Sequence, residues 1–551
     1  MASNLKRRNF LRNSLLVASG IVLAPNFISC KDDDDIFDIP DNTTEKNFDL
    51  GVASFDPTNS QVIIWTRYST QEVSTKLIWQ LAKDANFKNI VRQGQVETDA
   101  TRDYTVAIEV KDLAQNLKLY YRFVNVEDKA TSPVGETLTF GTDLSEIKLA
   151  VASCSNYAAG YFNVYDAMNQ SDADVVVHLG DYIYEYGENI YGTFRDPEPK
   201  GEIITTDDYR KRYRQYRSEK PLQELHRKKP FICVWDDHEV TNDAYIDGAE
   251  NHQKDEGDYG VRKASALQVY REYLPNTTNL QNDAIIYRKL QLGNLIDLIM
   301  LDTRIVGRDK QLAYADFTSA TGAIDAAAFQ QAWLDPNRTL LGSNQKTWFK
   351  NEMTSSSSAW QIIGQQILMG KMLIPAELLA LFGRPEFAVA LGELTQIKGR
   401  LLQNDPTLTP EEIARVKTVV PYNLDAWDGY FAEREEVLAT FKDKKVVVLA
   451  GDTHNAWQSD LKTASGEKVG TEVATSSVSS PGFESFVGAQ GAEQLAGALQ
   501  LLIDDLNFAN LVDRGFMKLT VTAGAVKTDW TYVDTITDTN FSVVVKNTLT
   551  V

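Results

Sequence analysis

Apolar and polar positions follow different rhythms along the chain. Between 48 and 142, short runs alternate apolar and polar side chains and are broken by turn residues, at 62–68, 76–81, 105–110, 119–126 and 136–140. Period-two alternation marks half-buried antiparallel strands, and this spacing predicts a β-sandwich of the immunoglobulin or fibronectin sort. From 146 to 551 the rhythm changes. Apolar runs there alternate with longer helix-like stretches, as α/β architecture requires. The stretch 370–441 reads as a largely helical insertion, and 518–551 returns to strand-like alternation.

The apolar runs of the second region all stop in polar clusters. Run 148–152 ends in Ser153-Cys154-Ser155-Asn156, run 175–179 in Gly180-Asp181, and run 231–235 in Asp236-Asp237-His238-Glu239. Run 298–301 leads into Asp302-Thr303-Arg304, run 360–363 into Gly364-Gln365-Gln366, and run 446–450 into Gly451-Asp452-Thr453-His454-Asn455. Ligands of open α/β sheets bind beyond the carboxyl ends of the strands. Strand after strand here delivers metal-competent side chains at that end. Tyr184 stands three residues after Asp181, within reach of the same ion.

The first residues form a separate address. Lys6-Arg7-Arg8-Asn9-Phe10-Leu11-Arg12 precedes a short apolar stretch at 15–24, the layout of a signal peptide. Paired arginines followed by Phe-Leu resemble a twin-arginine signal over 1–29, which exports folded proteins. Phe27-Ile28-Ser29-Cys30 resembles a lipoprotein cleavage box, with Cys30 as the lipidated residue and an outer-membrane or surface lipoprotein as the outcome. The alternative is cleavage nearby, leaving a soluble periplasmic protein. An acidic linker occupies 30–47.

Composition narrows the picture further. A chain of 551 residues with 43% apolar and 24% charged side chains is globular and long enough for two domains. A net charge of −20 argues against a nucleic-acid-binding surface. It leaves phosphate-bearing substrates open, provided that bound cations reverse the sign locally. Three cysteines are too few for a disulfide framework. Cys233 lies inside an apolar run and reads as core. Of five histidines, His178, His238 and His454 fall inside the polar clusters, whereas His226 and His252 have no such context.

The ordered set His-Leu-Gly-Asp-Tyr-Ile-Tyr-Glu-Tyr (178–186), Trp-Asp-Asp-His-Glu (235–239), Leu-Asp-Thr-Arg (301–304), Trp-Asp-Gly-Tyr (427–430) and Gly-Asp-Thr-His-Asn (451–455) resembles the PhoD-type alkaline phosphatases and phosphodiesterases. These belong to the calcineurin-like metallophosphoesterases. The resemblance implies a four-layer αββα catalytic domain behind the sandwich, and an exported enzyme that hydrolyses small phosphate esters with Fe³⁺ and Ca²⁺. The two metals would clamp the phosphate and supply a bound hydroxide as nucleophile. Cys154 as thiolate, Asp181, Tyr184 as phenolate and His454 would hold the ferric ion. Asp181, Asp237, Asp452 and Gln366 would offer the second ion an all-oxygen site suited to Ca²⁺. His238 would protonate the leaving alkoxide or stabilise the phosphate. Asn156 and Arg304 are candidates for holding substrate phosphate, although Arg304 could equally pair with a carboxylate below the site. His178 and Asn242 would support the ligands from behind. A monomer is expected. Two rivals stand beside this reading. One is a phospholipase D-like enzyme on the same scaffold, with the apolar segment 376–391 beside a phospholipid substrate; the other is a non-catalytic surface lipoprotein whose metals are structural.

Overall fold

The structure is a computed structural model, and it describes residues 37, 39–278, 285–319 and 324–551. The leader and Cys30 therefore lie outside the described residues.

Two large sheets carry the catalytic region. The first has nine strands, in the order Val543–Thr550, Val526–Val533, Arg514–Val521, Ile147–Ala152, Val175–His178, Phe231–Cys233, Val52–Phe55, Val62–Arg67 and Thr105–Val110. The second has seven: Arg288–Leu292, Ile296–Met300, Trp360–Gly364, Val446–Ala450, Lys468–Ala474, Ala456–Lys462 and Leu506–Asn510. Each contains a parallel centre. Ile147–Ala152, Val175–His178 and Phe231–Cys233 run together in one, and Ile296–Met300, Trp360–Gly364, Val446–Ala450 and Lys468–Ala474 in the other. Parallel strands buried on both faces need continuous apolar runs, which is what Val-Val-Val at 175–177 and 446–448 supplies.

The sheets pack face to face. Leu298, Ile362, Val447 and Leu449 share one core with Leu149, Val151, Val176 and Val177. The alternate residues Ile299, Ile363 and Val448 point outward and pack with Phe349, Met353, Val437 and Leu438 from the helices Gly342–Ser355 and Phe431–Leu438. On the far side of the first sheet, Tyr165 and Met168 of Asn163–Gln170 and Leu222 and Leu225 of Lys220–Lys228 close the core. The result is helix, sheet, sheet, helix. The segment 370–441 forms the hairpin Leu373–Pro375 with Val419–Pro421 and the helices Ala376–Leu381, Phe387–Leu402 and Pro410–Lys417.

The N-terminal sandwich is fused to this body rather than tethered to it. One of its sheets contains Leu117–Asn125, Ser74–Ala82 and Ile90–Asp99. The other sheet, Val52–Phe55 with Val62–Arg67 and Thr105–Val110, continues the nine-stranded catalytic sheet through the parallel pair Phe55 and Phe231. Asp56, next in the chain, is buried and gripped by Arg288 at 2.6 and 2.8 Å.

Candidate metal centre

The strand ends of both sheets meet at one place, and close backbone approach makes it possible. Gly180 has φ of 105°, and a Cβ there would stand 2.4 Å from the Asp236 backbone nitrogen. A Cβ at Gly451 would stand 2.5 Å from Ser153 Oγ. Cys154 N–H donates to Gly180 O at 3.1 Å and Ser155 N–H to Asp181 O at 2.9 Å, which laces the first two loops together. Cys154, Asp181, Asp452 and His454 all adopt left-handed φ, between 53° and 62°. Non-glycine residues enter that region at a cost, and they cluster where geometry is imposed by function.

Donor atoms of Cys154, Asp181 and His454 lie within 4.8 Å of one another. The Tyr184 hydroxyl joins them, donating to Asp181 Oδ2 at 2.9 Å and lying 3.1 Å from His454 Nε2. His454 Nδ1 lies 2.7 Å from the Pro481 carbonyl, which fixes the ring with Nε2 facing inward. Ser480 Oγ contacts the Tyr184 oxygen at 2.7 Å. A second overlapping group brings Asp181 together with Asp237 and His238, and a third brings Asp236 and Asp237 to Asp452.

The electrostatics of this cluster fit cations. Asp181 is buried, and its Oδ1 has no hydrogen-bond partner. Burial pushes its carboxyl well above the usual range; the His238 charge opposes this, and Asp236, Asp237 and Glu239 add to it. Burial likewise raises the Cys154 thiol, with the Asp181 charge next, and raises Tyr184 with help from Asp181 and Cys154. His454 is pushed down to about 3 by burial, so its imidazole is neutral and its lone pair is available. An orphaned carboxylate oxygen beside a thiol, a phenol and a neutral imidazole is a donor set awaiting positive charge.

His238 sits on this cluster with its Nδ1 2.6 Å from Glu185 Oε2. Burial would lower its pKa, but Glu185, Asp181 and Asp237 together hold it well above 6.5. Glu185 is itself completely buried. Its other oxygen accepts from Asn242 N–H at 2.8 Å and Asn251 Nδ2 at 2.9 Å. Glu239 clamps the loops from below, accepting from the backbone N–H groups of Asp181, Tyr182 and Asp236 at 3.0, 2.6 and 2.7 Å.

Several expected residues do other work. Gln366 is not placed as a ligand. Its Oε1 accepts from the Thr303 amide and hydroxyl, and its Nε2 donates to the Trp235 and Leu301 carbonyls, so the side chain clips strand ends together. Arg304 does not offer itself to substrate phosphate. It is buried and divided among Asp236 at 2.5 Å, Asp425 at 2.7 Å and Asp452 at 2.7 Å, so of its two expected roles the carboxylate pairing is the one present. Asn156 caps the turn Tyr157–Ala159 by accepting from Ala158 N–H and donates to the Tyr191 carbonyl, so both ends of its amide are engaged within the loops. Asn242 contributes its backbone N–H, while its side chain turns away to Glu250. His178 lies behind the Asp181 loop, bonded to the Tyr165 hydroxyl at 2.8 Å and held neutral by burial.

Glu185, Glu239, Asp425 and Tyr191 were not singled out from the sequence. Glu185 had a signal, an acid in the middle of the aromatic run Tyr182 to Tyr186. Tyr191 had none; its hydroxyl reaches His454 Nδ1 at 3.1 Å from a loop with no periodicity.

Comparison with known proteins agrees with this geometry. The family described as PhoD-like phosphatase matches residues 149–530, and the PhoD-like phosphatase N-terminal domain matches 35–141. The chain belongs to the PhoD-like phosphatases. It is 32% identical over 523 residues to alkaline phosphatase D of Bacillus subtilis (strain 168), covering 90% of this chain and 79% of that protein. A solved structure of PhoD superposes with a TM-score of 0.74 at 30% identity, covering 93% of this chain and 91% of that one. Membership makes this PhoD-like chain a phosphoric ester hydrolase that depends on metal, and the reading as a non-catalytic binder falls away.

Proposed function

We propose that the protein hydrolyses small phosphate mono- and diesters at a two-cation centre. In this centre Cys154, Asp181, Tyr184 and His454 hold ferric iron, and Asp181, Asp237 and Asp452 hold calcium. The observation that carries the reading is the convergence of Cys154, Asp181 and His454 donors within 4.8 Å, with the Tyr184 hydroxyl bonded to two of them. Thiolate, phenolate, imidazole and carboxylate together suit ferric iron, and an all-carboxylate set suits a hard cation. When bound, the two cations would polarise the phosphoryl oxygens and acidify water between them.

The protein's own groups do the rest. Asp181 has one oxygen toward Tyr184 and one unpartnered, as a bridging carboxylate needs. Arg304 neutralises Asp236 and Asp425 and takes one oxygen of Asp452, so the acidic floor does not repel itself apart. Glu185 occupies His238 Nδ1, which leaves Nε2 as the atom that hands a proton to the departing alkoxide. Turnover of p-nitrophenyl phosphate and of its bis ester, lost on chelation and regained with iron plus calcium, is the expected result. Undiminished turnover after complete removal of metal would sink the proposal.

An apolar rim favours a second reading, in which the alcohol released is lipophilic. The helix Glu484–Leu502 starts just after Pro481, and its first turn exposes Phe486 at 79%. Phe483 meets Tyr422 at 6.3 Å, and Phe382 of the helical insertion is 55% exposed. Phospholipid head-group release from vesicles, reduced by Phe486→Ser while p-nitrophenyl phosphate turnover holds, would distinguish it.

Export through the twin-arginine route with lipid attachment at Cys30 completes the proposal on sequence grounds alone. Cys30→Ala should move active enzyme from the membrane fraction to the soluble one, and unchanged membrane association would count against it.

A further inference from the structure

The loop between the strand Lys468–Ala474 and the helix Glu484–Leu502 runs Thr475-Ser476-Ser477-Val478-Ser479-Ser480-Pro481 and joins the two catalytic sheets. Residues 475–480 are buried. Val478 N–H donates to the Ser153 carbonyl at 3.0 Å, and Gly515 N–H of the first sheet donates to the Ser477 carbonyl at 3.0 Å. A buried loop must pair its polar groups internally, and short hydroxyls readily do so. Ser477 Oγ donates to the Ser480 carbonyl at 2.6 Å and Ser479 Oγ to the Asn156 carbonyl at 2.8 Å. Packing of the loop accounts for both.

Ser480 differs. Its Oγ reaches the Tyr184 oxygen at 2.7 Å and the Cys154 carbonyl at 2.9 Å, with one proton for two acceptors. The Cys154 carbonyl has other donors, the N–H groups of Ser479 and Ser480 at 3.4 and 3.3 Å. The Tyr184 oxygen has none. As a metal-bound phenolate it carries no proton, and the atoms facing it are acceptors: Asp181 Oδ2 at 2.9 Å and His454 Nε2 at 3.1 Å. The His454 proton sits on Nδ1, against the Pro481 carbonyl at 2.7 Å. Among the described residues, Ser480 is therefore the one donor bonded to that oxygen. A charged oxygen takes the proton in preference to a carbonyl.

We propose that Ser480 is a positioning residue of the metal centre, whose hydroxyl donates to the Tyr184 phenolate and so orients it and draws electron density from its oxygen. Pro481, the next residue, holds His454 through its carbonyl. Two consecutive residues of one loop thus orient two metal donors, one carried by each sheet. The inference rests on the ferric reading of the centre.

The visible band of the purified holoenzyme reads it directly, because a hydrogen bond to the donor oxygen lowers the energy of the electrons that the iron draws on. Ser480→Ala should move the band to longer wavelength and weaken iron retention against a chelator about 10- to 100-fold. Ser480→Thr, which keeps the hydroxyl, should keep the original band. In a Tyr184→Phe background, Ser480→Ala should leave the remaining thiolate band where it is. One measurement needs no variant: resonance Raman excited in the band should show the phenolate C–O vibration shifting on exchange into D2O. An unmoved band in Ser480→Ala, an equal shift in the Tyr184→Phe background, or a vibration indifferent to deuterium would each overturn the proposal. A colourless, iron-free active enzyme would overturn the ferric reading and this inference together, whereas a coloured enzyme whose band ignores Ser480 would overturn this inference alone.

Discussion

At the scale of single residues the site is held by groups that never touch a substrate. Glu185 fixes which nitrogen of His238 faces outward, and its own position is set by Asn242, Asn251 and Thr241. Glu185→Gln keeps the shape but exchanges an acceptor for an amide, and it should lower kcat about 10- to 100-fold with KM nearly unchanged. A matching rise in KM would mean that Glu185 acts on binding instead. His238→Ala should cost more, roughly 10²- to 10⁴-fold in kcat with both metals retained. The loss should be smaller for nitrophenyl esters, whose leaving group hardly needs a proton; steady-state kinetics with paired alkyl and nitrophenyl substrates decides it. The convergence of Cys154, Asp181, Asp237, His238, Asp452 and His454 on one place was legible in the sequence because each belongs to a polar cluster that ends an apolar run, with Tyr184 three residues beyond Asp181. Gln366, Arg304 and Asn156 sit in the same clusters, but their side chains are engaged by loop residues distant in sequence: Thr303 and Trp235, Asp425, and Tyr191. Spacing along one segment carries no record of such distant partners.

At the scale of elements, the centre exists because strand ends lie closer than side chains ordinarily allow, across the two sheets where Gly451 meets Ser153 and within the first sheet where Gly180 meets Asp236. Gly180→Ala would drive a Cβ into the Asp236 backbone at a φ that alanine rarely adopts. The change should cost on the order of 3 kcal/mol, and metal content should fall in parallel because the Asp181 and Asp237 loops separate. Urea unfolding together with metal analysis checks both, and a fully metallated, equally stable variant would contradict the account. The buried parallel strands were readable as uninterrupted apolar runs. The strands Ile90–Asp99, Lys468–Ala474 and Leu506–Asn510 were not, because they carry charged or amide side chains and lie outside the buried parallel centre or only partly within it. Their pairing is dictated by neighbours rather than by their own pattern.

At the scale of the whole molecule, the sandwich and the catalytic body share one sheet and behave as one unit. Sequence periodicity separated them at the change of rhythm, but it could not show the Phe55–Phe231 pairing across the boundary. Two buried charges lock the seam. Asp56→Ala would strand Arg288 without its bidentate partner and should destabilise by about 3–5 kcal/mol, in a single transition rather than by loss of the sandwich alone. Asp103 joins Arg67 of the sandwich to Arg214 and Tyr273 of the body. Burial would raise its carboxyl, but the Arg67 bond and charge, the Tyr273 bond and the Arg214 charge win and hold it below 3.8. A depressed folded pKa adds stability above the unfolded value and loses it as pH falls through the folded one. Asp103→Asn should therefore destabilise at neutral pH and flatten the loss of stability below about pH 4; Tm measured from pH 7 to 3 shows whether it does.

The colour of the whole molecule is the most direct test of the centre. A thiolate and a phenolate on one ferric ion give ligand-to-metal charge transfer, which Ca²⁺, Mg²⁺ or Zn²⁺ cannot produce. The purified enzyme should show a visible absorption band in proportion to its iron content. That band should weaken or shift in Tyr184→Phe, change differently in Cys154→Ser, and bleach with turnover on chelation. A colourless, iron-free and fully active preparation would contradict the account.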